Sequence, residues 1–502
     1  MLALSLALTP ALASAQSIVA SPRPDSVAVT VYRDPNRAAD QAFELGWLNG
    51  YALISETRRV RLPAGESELR FEGVAGGIIP QSAIVTGLPG GTVERNRDAL
   101  LLSPGTLLDR SLGRRVHLRR TSVASGKVVE RDAVIRSGAD GAVVLQTSEG
   151  VEALRCSGQN ETLLYDEVPA DLAARPTLSV RTRSREAADV VVTLSYLATG
   201  FDWQANYVAT LNPAGDRLDL FAWLTLANGD ETSFTAARTN AVAGRLNRER
   251  AEVQEPVTRP VILNCWPDGT TSDTGSLYPP PPPPAPPPMS APMPVAEVGY
   301  DQIVVTGSRR TMKAELEALG DVKLYRIPEP VTVAANSQKQ VALIEKPGVR
   351  VDVVYRQRPP IGVDHEAAAT RTIVTRNRTA EGLGIPLPAG ALVLFADRGG
   401  RPLLVGQGSV SDKAVGEDVE IELGPAPGVR AVQRVTEDVR GTKRVELVVT
   451  NDSPAAIRYE AELMAEGVRL KADTRLGTRD GRKLWAVTVP ANGSATLRYR
   501  VN

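Results

Sequence analysis

Alternation with a period of two residues is the feature that most restricts how this chain can fold. In segments 26–32 (SVAVTVY), 55–62, 66–72, 128–135, 142–147, 177–182, 189–196, 217–226, 337–344, 349–355, 444–450 and 495–501, apolar or β-branched residues alternate with polar ones. Gly, Pro, Asn or Asp close most of these runs. Successive side chains of a strand point to opposite faces, so such a segment buries one face and wets the other when it is extended. The runs recur roughly every eight to twelve residues without helical patterns between them, which favours antiparallel β-sandwiches and small barrels over a parallel sheet. The expected class is therefore all-β. Two short helices are expected as well. Ser103 and Pro104 supply a cap and a first-turn proline ahead of Leu107, Leu108 and Leu112, with Gly113 as the stop. Residues 311–319 place Met312, Leu316 and Leu319 on one helical face before Gly320.

Composition divides the chain. A β domain is expected over 26–98, a small barrel-like meander over 107–165, and the first part of a β-sandwich over 177–248. A C-terminal β-sandwich region follows over 322–502 and is expected to continue the 177–248 domain. Between the last two blocks, residues 250–310 contain Pro279 to Pro284, Ala285 and Pro286 to Pro288. Consecutive prolines fix φ and remove backbone donors, so this linker is expected to be disordered polyproline II, a spacer or a ligand for an aromatic groove.

At the N-terminus, an apolar stretch from Met1 to Leu8 interrupted by Ser5 precedes Ala13-Ser14-Ala15, the pattern of a secretory signal cleaved after Ala15. The first basic residue is Arg23, so an upstream start codon stays open. Export to the periplasm or beyond is the expectation, with no membrane span in the mature chain. In an oxidising compartment Cys156 and Cys265 are disulfide candidates, the bridge being worth up to ~4.7 kcal/mol by chain entropy; two buried thiols are the alternative.

The same sequence excludes more than it points to. Fifty-eight basic residues balance 58 acidic ones, so no global field attracts nucleic acid. Only His117 and His365 are available as imidazoles, which leaves no histidine-built metal centre, and no cofactor is expected. His117 lies in RRVHLRR, where Glu130 and Asp132 on the next strand balance the arginines, or a basic face meets an acidic partner. No nucleophile elbow, zinc-helix or phosphate-loop pattern occurs. Paired carboxylates are the one catalytic device left open.

Aromatic residues are scarce, 6 Phe, 5 Trp and 11 Tyr, yet Tyr196, Phe201, Trp203, Tyr207, Phe221 and Trp223 crowd into 196–223. Trp203 and Tyr207 share one face of a strand, and Phe221 and Trp223 share a face of another. The four rings form either a binding wall for sugar rings or an extended peptide, or the core of a sandwich; the exposure of Trp203 decides. After the proline tract, Asp301-Gln302-Ile303-Val304-Val305-Thr306-Gly307-Ser308 resembles the coupling box of receptors that pair with the TonB system. Ile303, Val304 and Val305 would then add a strand to that partner; an ordinary edge strand is the alternative.

The order Ser195-Tyr196, Gly200, Trp203, Ala205, Tyr207 has the form SY(x)3GxxWxAxY. With 62–66 (LPAGE), 242–247 (VAGRLN), 324–331 (LYRIPEPV) and 386–390 (PLPAG), it resembles the secreted bacterial family called domain of unknown function 4139, also found in mucoidy-inhibitor-A-like proteins. The resemblance spans most of the mature chain and implies a β-rich exported protein. It brings no catalytic residues. The mucoidy-type relatives often carry an N-terminal coiled coil, and no sustained heptads occur here. The sequence thus supports a non-enzymatic envelope protein that offers β edges and loops to a protein or glycan partner, with a carboxylate-dependent hydrolase of envelope polymers as the alternative.

Overall fold

The computed structural model describes residues 17–98, 102–122, 125–137, 143–154, 160–169, 172–244, 313–319, 322–397, 399, 401–464 and 467–502. The signal segment, Cys156, Cys265, the proline linker and Ile303, Val304 and Val305 lie outside them. The fold is all-β, a sandwich with two further β units. Among the described residues, no helix is long and apolar enough to cross a membrane.

Two sheets face each other to form the sandwich. One runs in the order Glu315–Leu319, Val322–Arg326, Phe234–Ala243, Ser26–Tyr32, Tyr51–Leu62, Ala188–Thr199, Ile84–Thr86. The other runs Ser337–Arg350, Arg217–Asn228, Phe201–Leu211, Gly390–Asp397, Pro402–Val410. Alternation explains the packing. Val27, Val29 and Val31 turn inward from the first sheet, and Trp203, Ala205, Tyr207 and Ala209 turn inward from the second. Trp203 packs edge-on against Tyr325 of the opposite sheet at 5.6 Å, and Phe201 lies 6.0 Å from Phe234. A four-stranded sheet, Ser17–Ser21, Gly65–Glu72, Thr177–Ser184 and Glu94–Asp98, feeds Leu69, Phe71, Leu178 and Val180 into the same core.

Segments 26–98 and 177–248 are therefore not separate domains. Strand Tyr51–Leu62 pairs along its full length with Ala188–Thr199, and both contribute to one core. The small meander is an insertion between them. Its sheet runs Gly150–Ala153, Val144–Thr147, Val128–Ile135, Arg115–Thr121, Asn160–Tyr165, and it has its own core of Leu108, Val116, Leu118, Ile135 and Leu145. The helix Pro104–Arg110 enters this core with Leu108. Ser103 and Thr106 cap it reciprocally, the Thr106 N–H donating to Ser103 Oγ at 3.3 Å and the Ser103 N–H to Thr106 Oγ1 at 2.9 Å.

Beyond 322 the chain serves two units. A nine-stranded sheet from Asp352–Gln357 to Gly493–Val501 holds a separate core around Tyr459, Trp485, Leu447 and Leu497. The long strand Asp418–Val439 joins the two, with Val419 and Ile421 in the sandwich core and Val429 and Ala431 in the second core. The helix expected over 311–319 is instead a strand: Glu315–Leu319 pairs antiparallel with Val322–Arg326, Leu316 opposite Tyr325. A segment this short gains little as an isolated helix, whereas a sheet edge satisfies its backbone directly.

Candidate functional site

The pairing of Phe201–Leu211 with Arg217–Asn228 decides the fate of the aromatic cluster. Trp203 stands opposite Leu226 and Tyr207 opposite Ala222, while Asn206 stands opposite Trp223 and Val208 opposite Phe221. Directly opposed residues share a face, so the four rings divide between the two sides of the sheet. Trp203 is 0% exposed and Tyr207 1%. The Trp203 indole N–H donates to the Val242 carbonyl at 2.9 Å, and the Tyr207 hydroxyl donates to the Pro388 carbonyl at 2.6 Å. Burial drives the Tyr207 hydroxyl well above its ordinary pKa. These two rings are core, the second of the two readings the sequence left open, so the four rings do not form one wall: register parity, which composition does not encode, put Trp203 and Tyr207 inside.

Phe221 and Trp223 turn outward. They are half-buried and meet edge to face at 4.8 Å. Beside them runs a chain of uncharged polar groups. Gln340 Nε2 donates to Thr225 Oγ1 at 3.2 Å, and the Thr225 hydroxyl donates to Asn206 Oδ1 at 2.5 Å. Gln204 Nε2 reaches the same oxygen at 3.4 Å. Thr225 is buried, and it orients two neighbours that reach solvent, the half-buried Asn206 and the exposed Gln340. Three polar groups on these solvent-reached side chains have no hydrogen-bond partner among the described residues: the Asn206 amide nitrogen, the Gln340 amide oxygen and the Trp223 indole N–H.

A loop closes one end of this face. Arg37 donates from Nε to Asp202 Oδ2 at 2.8 Å, from Nη1 to Gln204 Oε1 at 2.5 Å and from Nη2 to the Trp203 carbonyl at 2.7 Å. Its guanidinium also lies over the Phe43 ring at 4.7 Å. Burial pushes the Asp202 carboxyl up, against the pull of Arg37. Further along the loop, the short turn Leu45–Trp47 holds Trp47 82% exposed. Sequence reasoning concentrated on the crowded segment and missed Trp47. Its signal was rarity: one of 5 tryptophans, set between Gly46 and Asn49 in a segment without strand alternation.

Carboxylates gather elsewhere. A cleft of about 730 Å³ is lined by Asp25, Glu56, Glu72, Glu231, Arg175 and Ala236. Glu56 is engaged by the Tyr196 hydroxyl at 2.8 Å and by Arg58 at 2.5 Å. Asp25 accepts the Arg59 N–H at 2.8 Å. Glu231 is pushed above the usual carboxylate range by burial and then by the adjacent Asp230. A second cavity of about 580 Å³ holds Glu420 and Glu460, both taken up by Arg356 and Arg479. In this second cavity both carboxylates are thus held by arginines, whereas no ion pair engages Glu231 in the first among the described residues.

His117 sits on the strand Arg115–Thr121 of the inserted five-stranded sheet. Its Nδ1 is 2.9 Å from Asp132 and its Nε2 3.1 Å from Asp166, and these two partners raise its pKa. Arg119 pairs with Glu130 across the strands at 3.1 Å, the balance read from the sequence. His365 opens the strand His365–Arg376 opposite Gln433. Among the described residues, no group of three or more His, Cys, Asp or Glu is arranged to hold a metal ion.

No protein-family model matches the chain, and no curated protein matches it.

Proposed function

We propose that this is an exported, envelope-associated, non-enzymatic protein of the 4139 type that binds a glycan on the outer face of its five-stranded sheet. One observation carries the reading. Around the half-buried Trp223, a donor on Asn206 and an acceptor on Gln340, both side chains held through Thr225, and the indole N–H itself are unfilled by the described residues. A sugar ring supplies an apolar C–H face for an aromatic platform and hydroxyls that both donate and accept, which is what such a constellation can engage. Thr225 fixes the polarity of the chain, so the side chains lose little freedom when a ligand arrives. Affinity electrophoresis of the wild type and W223A through gels containing envelope and storage polysaccharides tests this. Retardation of the wild type, relieved in W223A, supports the reading; equal mobility of the two in every gel refutes it.

A hydrolase is favoured by a different observation, the raised carboxyl of Glu231 in the 730 Å³ cleft. Glycoside cleavage requires a general acid, and a carboxyl raised by burial is shifted in the direction that role needs. Release of reducing ends from envelope polymers by wild type and not by E231Q would establish it.

A further inference from the structure

We infer that the cleft of about 730 Å³ at the junction of the sandwich with the four-stranded sheet binds a short zwitterionic peptide, its carboxylate on Arg175 and its ammonium on Glu231. The cleft shares no lining residue with the glycan face, so the inference does not rest on that reading. Three stretches of chain build its walls: 22–27, 72–73 with 174–176, and 231–236. A volume of this size suits a ligand of a few residues.

Charge sets the chemistry. Arg23, Arg175, Glu72 and Glu231 line the cleft, and none of these four side chains has an ion pair or hydrogen-bond partner among the described residues. The remaining carboxylates of the lining are committed, Glu56 to Arg58 and Tyr196, and Asp25 to the Arg59 N–H. Two open positive groups thus balance two open negative ones. A polyanion or a polycation is repelled by half of them, whereas a molecule with one charge of each sign satisfies both kinds. Burial and the adjacent Asp230 hold the Glu231 carboxyl above its usual range, a shift that an ammonium at this group would reverse.

Backbone geometry sets the length. A Cβ at Gly73 would lie 3.9 Å from Arg175 Cδ, and one at Gly76 would lie 3.2 Å from Glu231 Oε1. The two positions are three residues apart, at most about 11 Å, which is the span of an extended tripeptide. This stretch is held throughout. The N–H groups of Gly73 and Val74 donate to the Pro176 carbonyl at 2.9 and 3.2 Å, that of Ala75 to the Tyr196 hydroxyl at 3.1 Å, and those of Gly76 and Gly77 to the Asp230 carboxylate at 3.1 and 2.8 Å. The charges it carries are therefore presented on a rigid floor, which limits what a ligand must order.

The opposite wall is strained. Ala236 lines the cleft at φ +48°, a left-handed conformation that alanine rarely adopts, where the strand Phe234–Ala243 breaks register between Phe234 and Ala237. Such bulges and strained residues collect at ligand sites.

Calorimetric titration of the full-length mature protein with tri-alanine, its C-terminal amide and its N-acetyl form tests the inference. The wild type binds tri-alanine, and each blocked form binds about tenfold more weakly. R175Q binds tri-alanine and the amide alike, and E231Q binds tri-alanine and the acetyl form alike, because each variant lacks the partner of the blocked group. Both residues are exposed, so the unfolding midpoints of the variants stay at the wild-type value. W223A binds all three peptides as the wild type does. Absence of tri-alanine binding, equal affinity for the three peptides, or unchanged discrimination in R175Q and E231Q overturns the inference and leaves the glycan reading standing.

Discussion

Trp203 and Trp223 sit on paired neighbouring strands and point to opposite sides of one sheet. The indole N–H of Trp203 is spent on the Val242 carbonyl inside the sandwich, and that of Trp223 has no partner among the described residues. The same residue type is thus structural at one position and available at the other.

Substitution separates the two roles. W203A removes a fully buried ring and leaves the Val242 carbonyl without its donor, so a loss of about 3–5 kcal/mol is expected in urea denaturation. W223A, on the half-exposed face, costs about 1 kcal/mol or less and leaves the denaturant slope unchanged. Comparable losses for both variants would contradict the division of the sheet into core and outer face.

The inserted five-stranded sheet has a built-in pH response. His117 is raised above its unfolded value of about 6.5 by hydrogen bonds to Asp132 and Asp166. Its stabilising contribution is therefore complete below the unfolded value and fades as pH rises through the higher folded value. Arg115, 3.8 Å from Asp132, is the other charge at the pair. Amide exchange at Leu118 and Leu163, paired across the strands, should quicken on alkalinisation from about pH 6 to 8 beyond the intrinsic base dependence. H117Q should show the intrinsic dependence alone.

A buried ion pair supports the junction of the sandwich with the four-stranded sheet. Arg58 is 0% exposed and donates to Glu56, to the Ser21 carbonyl and to the Glu72 carbonyl. R58A leaves Glu56 charged without its guanidinium, an expected loss of about 3–5 kcal/mol. The double variant E56Q/R58M removes both charges and should recover a substantial part of that loss. A double variant less stable than R58A, measured by thermal unfolding, would show that the bonds to Ser21 and Glu72 dominate.

Gly229 offers a test of the loop that does not touch Trp47. G229A places a methyl 2.0 Å from the Leu45 oxygen, so the loop must move while the core is spared. The expected outcome is a red-shifted, faster-quenched component of the tryptophan emission, identified as that of Trp47 by its loss in W47F, with the unfolding free energy lowered by only about 1 to 2 kcal/mol.

Local features of this fold were readable because they are written in neighbouring residues. The strand Ser26–Tyr32 follows its alternation, and the Ser103 cap begins the helix Pro104–Arg110. Elements set by distant partners were not. Residues 315–319 became a strand because Val322–Arg326 and Phe234–Ala243 supply a sheet to join. The division of Trp203 from Trp223 depends on a register between strands, and a shift of one residue would have reversed it. Gln340 reaches the site from more than a hundred residues away, through Thr225, and nothing in its own neighbourhood marks it.

The parallel pairing of Phe201–Leu211 with Gly390–Asp397 has a cost paid in time. A ribosome adding about 5–20 residues per second needs on the order of ten to forty seconds to travel from one strand to the other. Throughout that interval the Trp203 and Tyr207 strand has an open side, and its apolar face is available to any other nascent chain. Shielding of the waiting strand is then a requirement of folding that the finished sandwich no longer displays, and it falls on whatever meets the chain before Gly390–Asp397 arrives, at the ribosome or after export.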